Sequence, residues 1–200
     1  MARRGLLIDF GGVLTSNVFE SFAAFCVAEG LEPETMRAAF RSDATARQLL
    51  YDLETGAIEP PAFSVALADR LGLADPTDLP QRLFAGVRAD EAMIAEVRAL
   101  HDRGVRTGLV SNSWGDATAY DRALFAEIFD GVVISSEVGL RKPDPAIYEL
   151  GARTIGLPPA ECVFVDDLGG NLKPAAALGM ATIKHVDAAS TIAQLRELLA

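Results

Sequence analysis

The sequence predicts an α/β protein, a parallel sheet flanked by helices, with a small helical segment inserted after the first strand. Three observations lead there. From Val105 onward, strand-like and helix-like runs alternate, which is the mark of parallel βαβ units. Residues 16–87 carry helix signals with no strand between them. At the start, Leu6-Leu7-Ile8 runs straight into Asp9 and then Gly11-Gly12, a buried strand that presents a carboxylate where the backbone must bend sharply. In a parallel sheet that strand end is where ligands bind, because the loops there line a crevice.

Taken in order, Leu6 to Ile8 is the first strand. Ser16 or Asn17 caps a helix carrying Phe19, Phe22, Phe25 and Cys26, with Glu20 placed as in a capping box and Gly30 near its end. Pro33 suits the first turn of a helix over Glu34 to Arg41. Asp43 caps a third, with Leu49, Leu50 and Leu53 on its apolar side and Gly56 as its stop. Pro60-Pro61 opens a fourth that closes at Leu71-Gly72, and a short helix around Leu79 to Phe84 leads back. Asp90 to Arg103 is amphipathic, with Met93, Ile94, Val97 and Leu100 on one face.

The alternation then reads as a strand over Val105 to Val110, a helix over Ala117 to Phe129 and a strand over Gly131 to Ser135. A helix over Pro145 to Ile155 follows its cap Asp144, then a strand over Cys162 to Val165 and a helix over Leu172 to Leu178 stopped by Gly179. A strand over Ala181 to Lys184 and a helix over Thr191 to Leu199 close the pattern. The predicted organisation is a core of residues 1–15 and 88–200 interrupted by a helical unit of residues 16–87.

Half of the 200 residues are apolar, enough for one well-filled domain with a smaller appendage. A formal net charge of -10 sets the chain against nucleic acid and anionic membrane, since the term that dominates such binding is repulsive here. No apolar run reaches the roughly 20 residues of a spanning helix, and Met1 to Thr15 has no signal-peptide cleavage pattern; a cytoplasmic protein is expected. Cys26 and Cys162 lie far apart in apolar runs and are expected to be buried thiols.

Four features fall at the carboxyl ends of predicted strands: Asp9, Ser111-Asn112, Lys142 and Asp166-Asp167. Alone, Asp9 reads as a helix cap, Ser111-Asn112 as a turn and Lys142 as a solvated lysine. The pair Asp166-Asp167, directly after Val163-Phe164-Val165, is harder to dismiss, because adjacent carboxylates repel unless a cation is present. Together the four make sense for phosphoryl transfer. Asp9 would be the nucleophile, and a hard divalent cation such as Mg²⁺ on oxygen ligands would let it approach an anionic phosphate. A hydroxyl, backbone N–H groups and an ammonium would hold the phosphate oxygens, while Gly12 leaves room for close approach. His101 and His185 are read as structural.

These residues carry a resemblance. Asp9-Phe10-Gly11-Gly12-Val13-Leu14-Thr15, Ser111-Asn112-Ser113-Trp114, Lys142-Pro143-Asp144-Pro145 and Asp166-Asp167-Leu168-Gly169-Gly170-Asn171 resemble the four ordered motifs of the haloacid dehalogenase-like (HAD) hydrolase superfamily, over nearly the whole chain. The stretches from Val138 to Pro145 and from Val163 to Ala175 are similar to the N-terminal phosphatase domains of soluble epoxide hydrolases and their bacterial relatives. The resemblance implies a Rossmann-like core with a small helical cap after the first motif, and a small phosphorylated substrate. It also implies Mg²⁺ held by Asp9, the Gly11 carbonyl and Asp167, with Asp166 in support. Ser111 and Lys142, with Asn112 contributing, would bind phosphate, and Lys142 would share in catalysis with Asp9.

The departure is at Gly11. Most phosphatases that the chain resembles have a second Asp there, which protonates the leaving oxygen and later activates water. A hydrogen side chain does neither, and such general acid–base help is typically worth about 10²–10⁴-fold. Three outcomes follow: a phosphatase with another acid, one restricted to leaving groups that need no proton, or an idle metabolite-binding protein. The resemblance also allows a haloacid dehalogenase, though that chemistry needs no cation and makes little use of Asp166-Asp167. A receiver domain is excluded because its acid pair comes early in the chain.

Overall fold

The computed structural model describes residues 3–115 and 120–199. Five parallel strands form one sheet: β1 Gly5–Ile8, β2 Arg106–Ser111, β3 Gly131–Ile134, β4 Cys162–Asp166 and β5 Ala181–Lys184, in the order β3-β2-β1-β4-β5. The central strand pairs on both sides, Ile8 standing opposite Leu109 of β2 and opposite Val165 of β4. The chain winds outward through β2 and β3, then returns to lay β4 on the other flank of β1. That reversal opens a crevice at the carboxyl ends of β1 and β4, where open α/β sheets bind ligands.

Both faces of the sheet are covered, which is why its strands read as unbroken apolar runs. Successive residues alternate between two cores. Leu6, Ile8, Leu109, Val163 and Val165 pack with Met93, Val97 and Leu100 of α6 (Glu91–Asp102), with Phe125 of α7 (Arg122–Ile128) and with Leu195 of α11 (Ala188–Leu198). Leu7, Val110 and Phe164 pack with Ile147, Tyr148 and Ala152 of α9 (Pro145–Thr154) and with Ala175 of α10 (Gly169–Ala177). A third core lies within the inserted helices α1 Val18–Ala28, α2 Thr35–Ser42, α3 Ala44–Glu54, α4 Pro60–Leu71 and α5 Leu79–Phe84. It gathers Phe22, Cys26, Met36, Leu53, Phe63 and Leu67. The two connections to this unit run side by side, Ser16 N donating to the Arg88 carbonyl at 2.7 Å and Arg88 N to Ser16 Oγ at 3.0 Å.

The caps expected at Asn17, Asp43 and Asp144 each accept a hydrogen bond from the first helical turn, and Asp90 does the same for α6. Cys26 and Cys162 are buried and free. His101 bonds Thr107 and His185 bonds Thr191, both in the scaffold away from the crevice. Several elements differ from expectation, α11 among them, which begins at Ala188 and not Thr191. The helix expected from Ala117 begins at Arg122 among the described residues, and 117–119 lie outside them. The strand expected to reach Ser135 ends at Ile134 and passes directly into α8, Ser135–Val138, which has no side-chain cap at its start and only Gly139 at its end to announce it. The last crossover helix starts at Gly169, not Leu172, because Asp166 reaches forward to accept from Leu168 N at 2.8 Å and so orders the turn that two glycines would leave loose. No helix among the described residues is long and apolar enough to cross a membrane.

Candidate active site

The site forms where β1 and β4 end. Asp9 follows Ile8, its N–H still in the sheet and donating to the Val165 carbonyl at 3.0 Å, while Phe10 N donates back to Asp9 Oδ1 at 2.7 Å. The chain then turns through Gly12, whose φ of +75° lies in the left-handed region. A Cβ there would stand 2.8 Å from Asp167 Oδ2, so the glycine gives the Asp167 carboxylate its place. Gly11 is different. A Cβ at residue 11 would meet only Val18 Cγ1, at 3.4 Å, in ordinary contact.

Lys142 comes from the loop before α9, and Asn112 fixes that loop from both sides. Asn112 Oδ1 accepts from Lys142 N at 2.8 Å, and Asn112 Nδ2 donates to the Lys142 carbonyl at 3.1 Å. Thus held, the buried Lys142 ammonium sits 2.7 Å from Asp9 Oδ1 and 2.8 Å from Asp166 Oδ2. Asp166 is the most fully engaged acid of the group. Besides Lys142 it accepts from Leu168 N and, at 3.0 Å, from Asn171 Nδ2, whose own backbone carbonyl is tied to Tyr148 Oη. Ser111, the last residue of β2, is buried with its Oγ 3.1 Å from Tyr120 Oη.

Asp9, Asp166 and Asp167 each offer an oxygen, all within 4.8 Å of one another. Burial, reinforced by the neighbouring Asp166, raises Asp9 well above the usual carboxylate range although Lys142 opposes it. Burial and then Asp166 push Asp167 up to about 6. Burial also disfavours the charged Lys142, but Asp166 and Asp9 outweigh it and hold the ammonium firmly protonated. Two of the acids, Asp9 and Asp166, thus share one cation, with Asp167 beside them. The donor set is hard oxygen at short range, and Gly12, by leaving the Asp167 carboxylate its room, keeps that oxygen in the set. The residues present fit Mg²⁺.

The structure thus brings together the expected residues Asp9, Gly11, Ser111, Asn112, Lys142, Asp166 and Asp167. The side-chain amide of Asn112 is committed to the Lys142 loop, so its closeness to the cluster is first of all a positioning contact. Residues the sequence pattern did not single out complete the site. Glu54, at the end of α3, is 4 % exposed; its carboxylate meets Arg141 Nε at 2.8 Å and Asn112 Nδ2 at 3.3 Å, and its backbone carbonyl accepts from Ser135 Oγ. Burial pushes Glu54 up to about 7 against the opposing Arg141 and Lys142. In sequence it reads only as a helix end. Above the acids a cavity of about 420 Å³ runs toward the inserted helices. Trp114, from the loop after β2, is its hub, with ring centroids of Phe22, Phe40 and Phe84 at 5.1, 5.3 and 5.5 Å.

A doubly wound parallel sheet, with an acid at the tip of its first strand and an acid pair at the tip of its fourth, defines the class, and comparison with known proteins gives the family. Residues 4–179 match the model for haloacid dehalogenase-like hydrolases, and the chain belongs to that family of hydrolases. It is 37% identical over 127 residues to bifunctional epoxide hydrolase 2 of Rattus norvegicus, covering 60% of this chain and 23% of that one; the chain spans about a quarter of that relative's length. It is 31% identical over 150 residues to sesquiterpene phosphatase astK of Aspergillus oryzae, covering 73% of this chain and 76% of that protein. A HAD family enzyme of Bacteroides thetaiotaomicron, solved as a mutant with magnesium and inorganic phosphate, shares the fold with a TM-score of 0.69 at 20% identity over 92% of this chain and 95% of that chain.

Proposed function

We propose that this hydrolase is a Mg²⁺-dependent phosphatase that acts on a small phosphate monoester through an aspartyl-phosphate on Asp9. The observation that carries the reading is the placement of Lys142 Nζ 2.7 Å from Asp9 Oδ1, beside three carboxylates within 4.8 Å of one another. A carboxylate nucleophile for phosphorus needs positive charge on both sides, one to hold the phosphate oxygens and one to relieve anion–anion repulsion. Lys142 meets the first need. Mg²⁺, held by Asp9, the Gly11 carbonyl and Asp167 with Asp166 in support, would supply the second as a Lewis acid.

Asp9 attacks phosphorus as the P–O bond to the leaving oxygen breaks; Lys142 and the Ser111 hydroxyl hold the transferring group; water then displaces Asp9 and releases inorganic phosphate. Asp166 and Asn112 act through Lys142, one on its ammonium and one on its backbone. Residues 1–15 and 88–200 form the catalytic core in this reading, and residues 16–87 are a cap over it. The relative named as a phosphatase supports phosphate chemistry. A dehalogenase would make little use of the Asp166-Asp167 pair.

Phosphate release from 4-nitrophenyl phosphate, measured with Mg²⁺, with chelator and with the Asp9→Asn variant, tests the reading. Release that needs Mg²⁺ and vanishes in the variant is expected. Chelator-resistant release of halide from a 2-haloacid would overturn it.

A further inference from the structure

Resting on the phosphatase reading, we infer that the substrate is an aryl phosphate, whose leaving group is a phenolate seated among the rings around Trp114. Two independent observations lead to one chemical class. The first is the wall of the cavity. Phe19, Phe22, Phe40, Phe84 and Trp114 line it beyond the acids, in edge-on packing with centroids 5.1–6.0 Å apart. The polar lining on the cap side is Arg37, Arg41 and Glu54, and Glu54 already serves Arg141 and Asn112. A sugar or glycerol phosphate would set hydroxyls against this ring wall, where each one left unpaired costs about 1–3 kcal/mol, and Arg37 and Arg41 are the cap-side donors that could meet them. A flat apolar ring needs no such partner.

The second observation is the shortage of proton donors for the leaving oxygen among the described residues of the cavity wall. Among the described residues lining the cavity there is no histidine. Among the described residues its carboxylates are Asp9, the nucleophile; Asp167, in the acid cluster; and Glu54, which holds Arg141 and Asn112 through Oε2. The phenol of Tyr120 is bonded to Ser111. Residue 11 has space for a side chain and carries none. An aliphatic alkoxide, nearly as basic as hydroxide (water's pKa is about 15.7), then leaves poorly, whereas a phenolate, with a pKa of about 10, departs unprotonated. The Asp9 Oδ–P bond forms as the P–O(aryl) bond breaks; the phenolate takes the electron pair and later a proton from bulk water, and a second water regenerates Asp9 and gives inorganic phosphate.

The test compares kcat/KM for phenyl, cyclohexyl and glucose 6-phosphates with Mg²⁺ present, in the native protein and in the Gly11→Asp and Trp114→Ala variants. Expected is a preference of at least about 10² for phenyl over cyclohexyl phosphate, the span that general acid help supplies. Gly11→Asp should narrow that ratio below about tenfold by raising the cyclohexyl rate, and Trp114→Ala should raise KM for the phenyl ester more than it lowers kcat. Equal rates for the phenyl and cyclohexyl esters, or a faster sugar phosphate, overturn the inference and leave the phosphatase standing. No release from any ester overturns the phosphatase reading itself.

Discussion

Lys142 Nζ lies 2.7 Å from Asp9 Oδ1, and the lysine is 1 % and the aspartate 8 % exposed, so a buried charge pair stands at the centre of the crevice. Such a pair is a weak source of net stability, yet removing one partner is expensive because the other is left buried and unpaired. In Lys142→Met two carboxylates, Asp9 and Asp166, lose their shared cation. Urea unfolding in chelator should show a loss of roughly 3–5 kcal/mol, and added Mg²⁺ should recover part of it. A loss below about 1 kcal/mol, within the range of exposed pairs, would show that the cluster is wetter than its burial says.

The two adjacent glycines of the first motif should behave oppositely. Gly12→Ala forces a side chain into the left-handed region and drives its Cβ to 2.8 Å from Asp167 Oδ2, so both strain and displacement of the acid follow. Left-handed backbone at a residue with a Cβ costs about 1–2 kcal/mol, and metal-dependent phosphate release should fall by more than tenfold. Gly11→Ala meets only Val18, at 3.4 Å, and should change the melting temperature little. Similar melting temperatures and Mg²⁺ dependence for the two variants would refute the account.

Glu54 gives a pH dependence with a definite sign. Its folded value is raised from about 4.5 to about 7, chiefly by burial. The folded state therefore binds this proton more tightly than the unfolded state does, and its contribution is complete below pH 4.5 and lost as pH rises through 7. Glu54→Gln cannot titrate. Relative to the native protein the variant should gain stability between pH 4.5 and 8, by on the order of 3 kcal/mol, followed by denaturant unfolding at each pH. A difference that is flat with pH would mean that Arg141 holds the carboxylate ionised throughout.

Much of this site was legible because each strand tip announces itself locally. Leu6-Leu7-Ile8-Asp9 and Val163-Phe164-Val165-Asp166 are apolar runs closed by an acid, and the sheet order sets those tips side by side. Lys142 could be placed only through its motif, since nothing local distinguishes it from a solvated lysine; Asn112, 30 residues away, is what turns it inward. Glu54 was illegible for a related reason. Its partners Asn112 and Arg141 lie 58 and 87 residues on, and a helix end records none of that. The start of α10 was misjudged because glycines argue against a helix until Asp166 is known to bond the turn before it.

The two acids at the end of β4 should separate by what their loss does to fold and to metal. Asp166 carries bonds from Lys142, Leu168 N and Asn171, so Asp166→Asn should lower the melting temperature of the metal-free protein. Asp167 is raised to about 6 by burial and by Asp166, which means that its charge opposes folding above that pH. At pH 7.5 Asp167→Asn should therefore melt higher than the native protein in chelator. With its oxygen no longer an anionic ligand, it should lose most of the stabilisation that Mg²⁺ gives the native protein, a mass-action effect of about 2.7 kcal/mol at a hundredfold excess over Kd. Thermal melts with chelator and with Mg²⁺ read both quantities at once. If Asp167→Asn keeps the full Mg²⁺ shift while Asp166→Asn loses it, the assignment of direct and supporting acid is reversed, and the space held open by Gly12 has some other purpose.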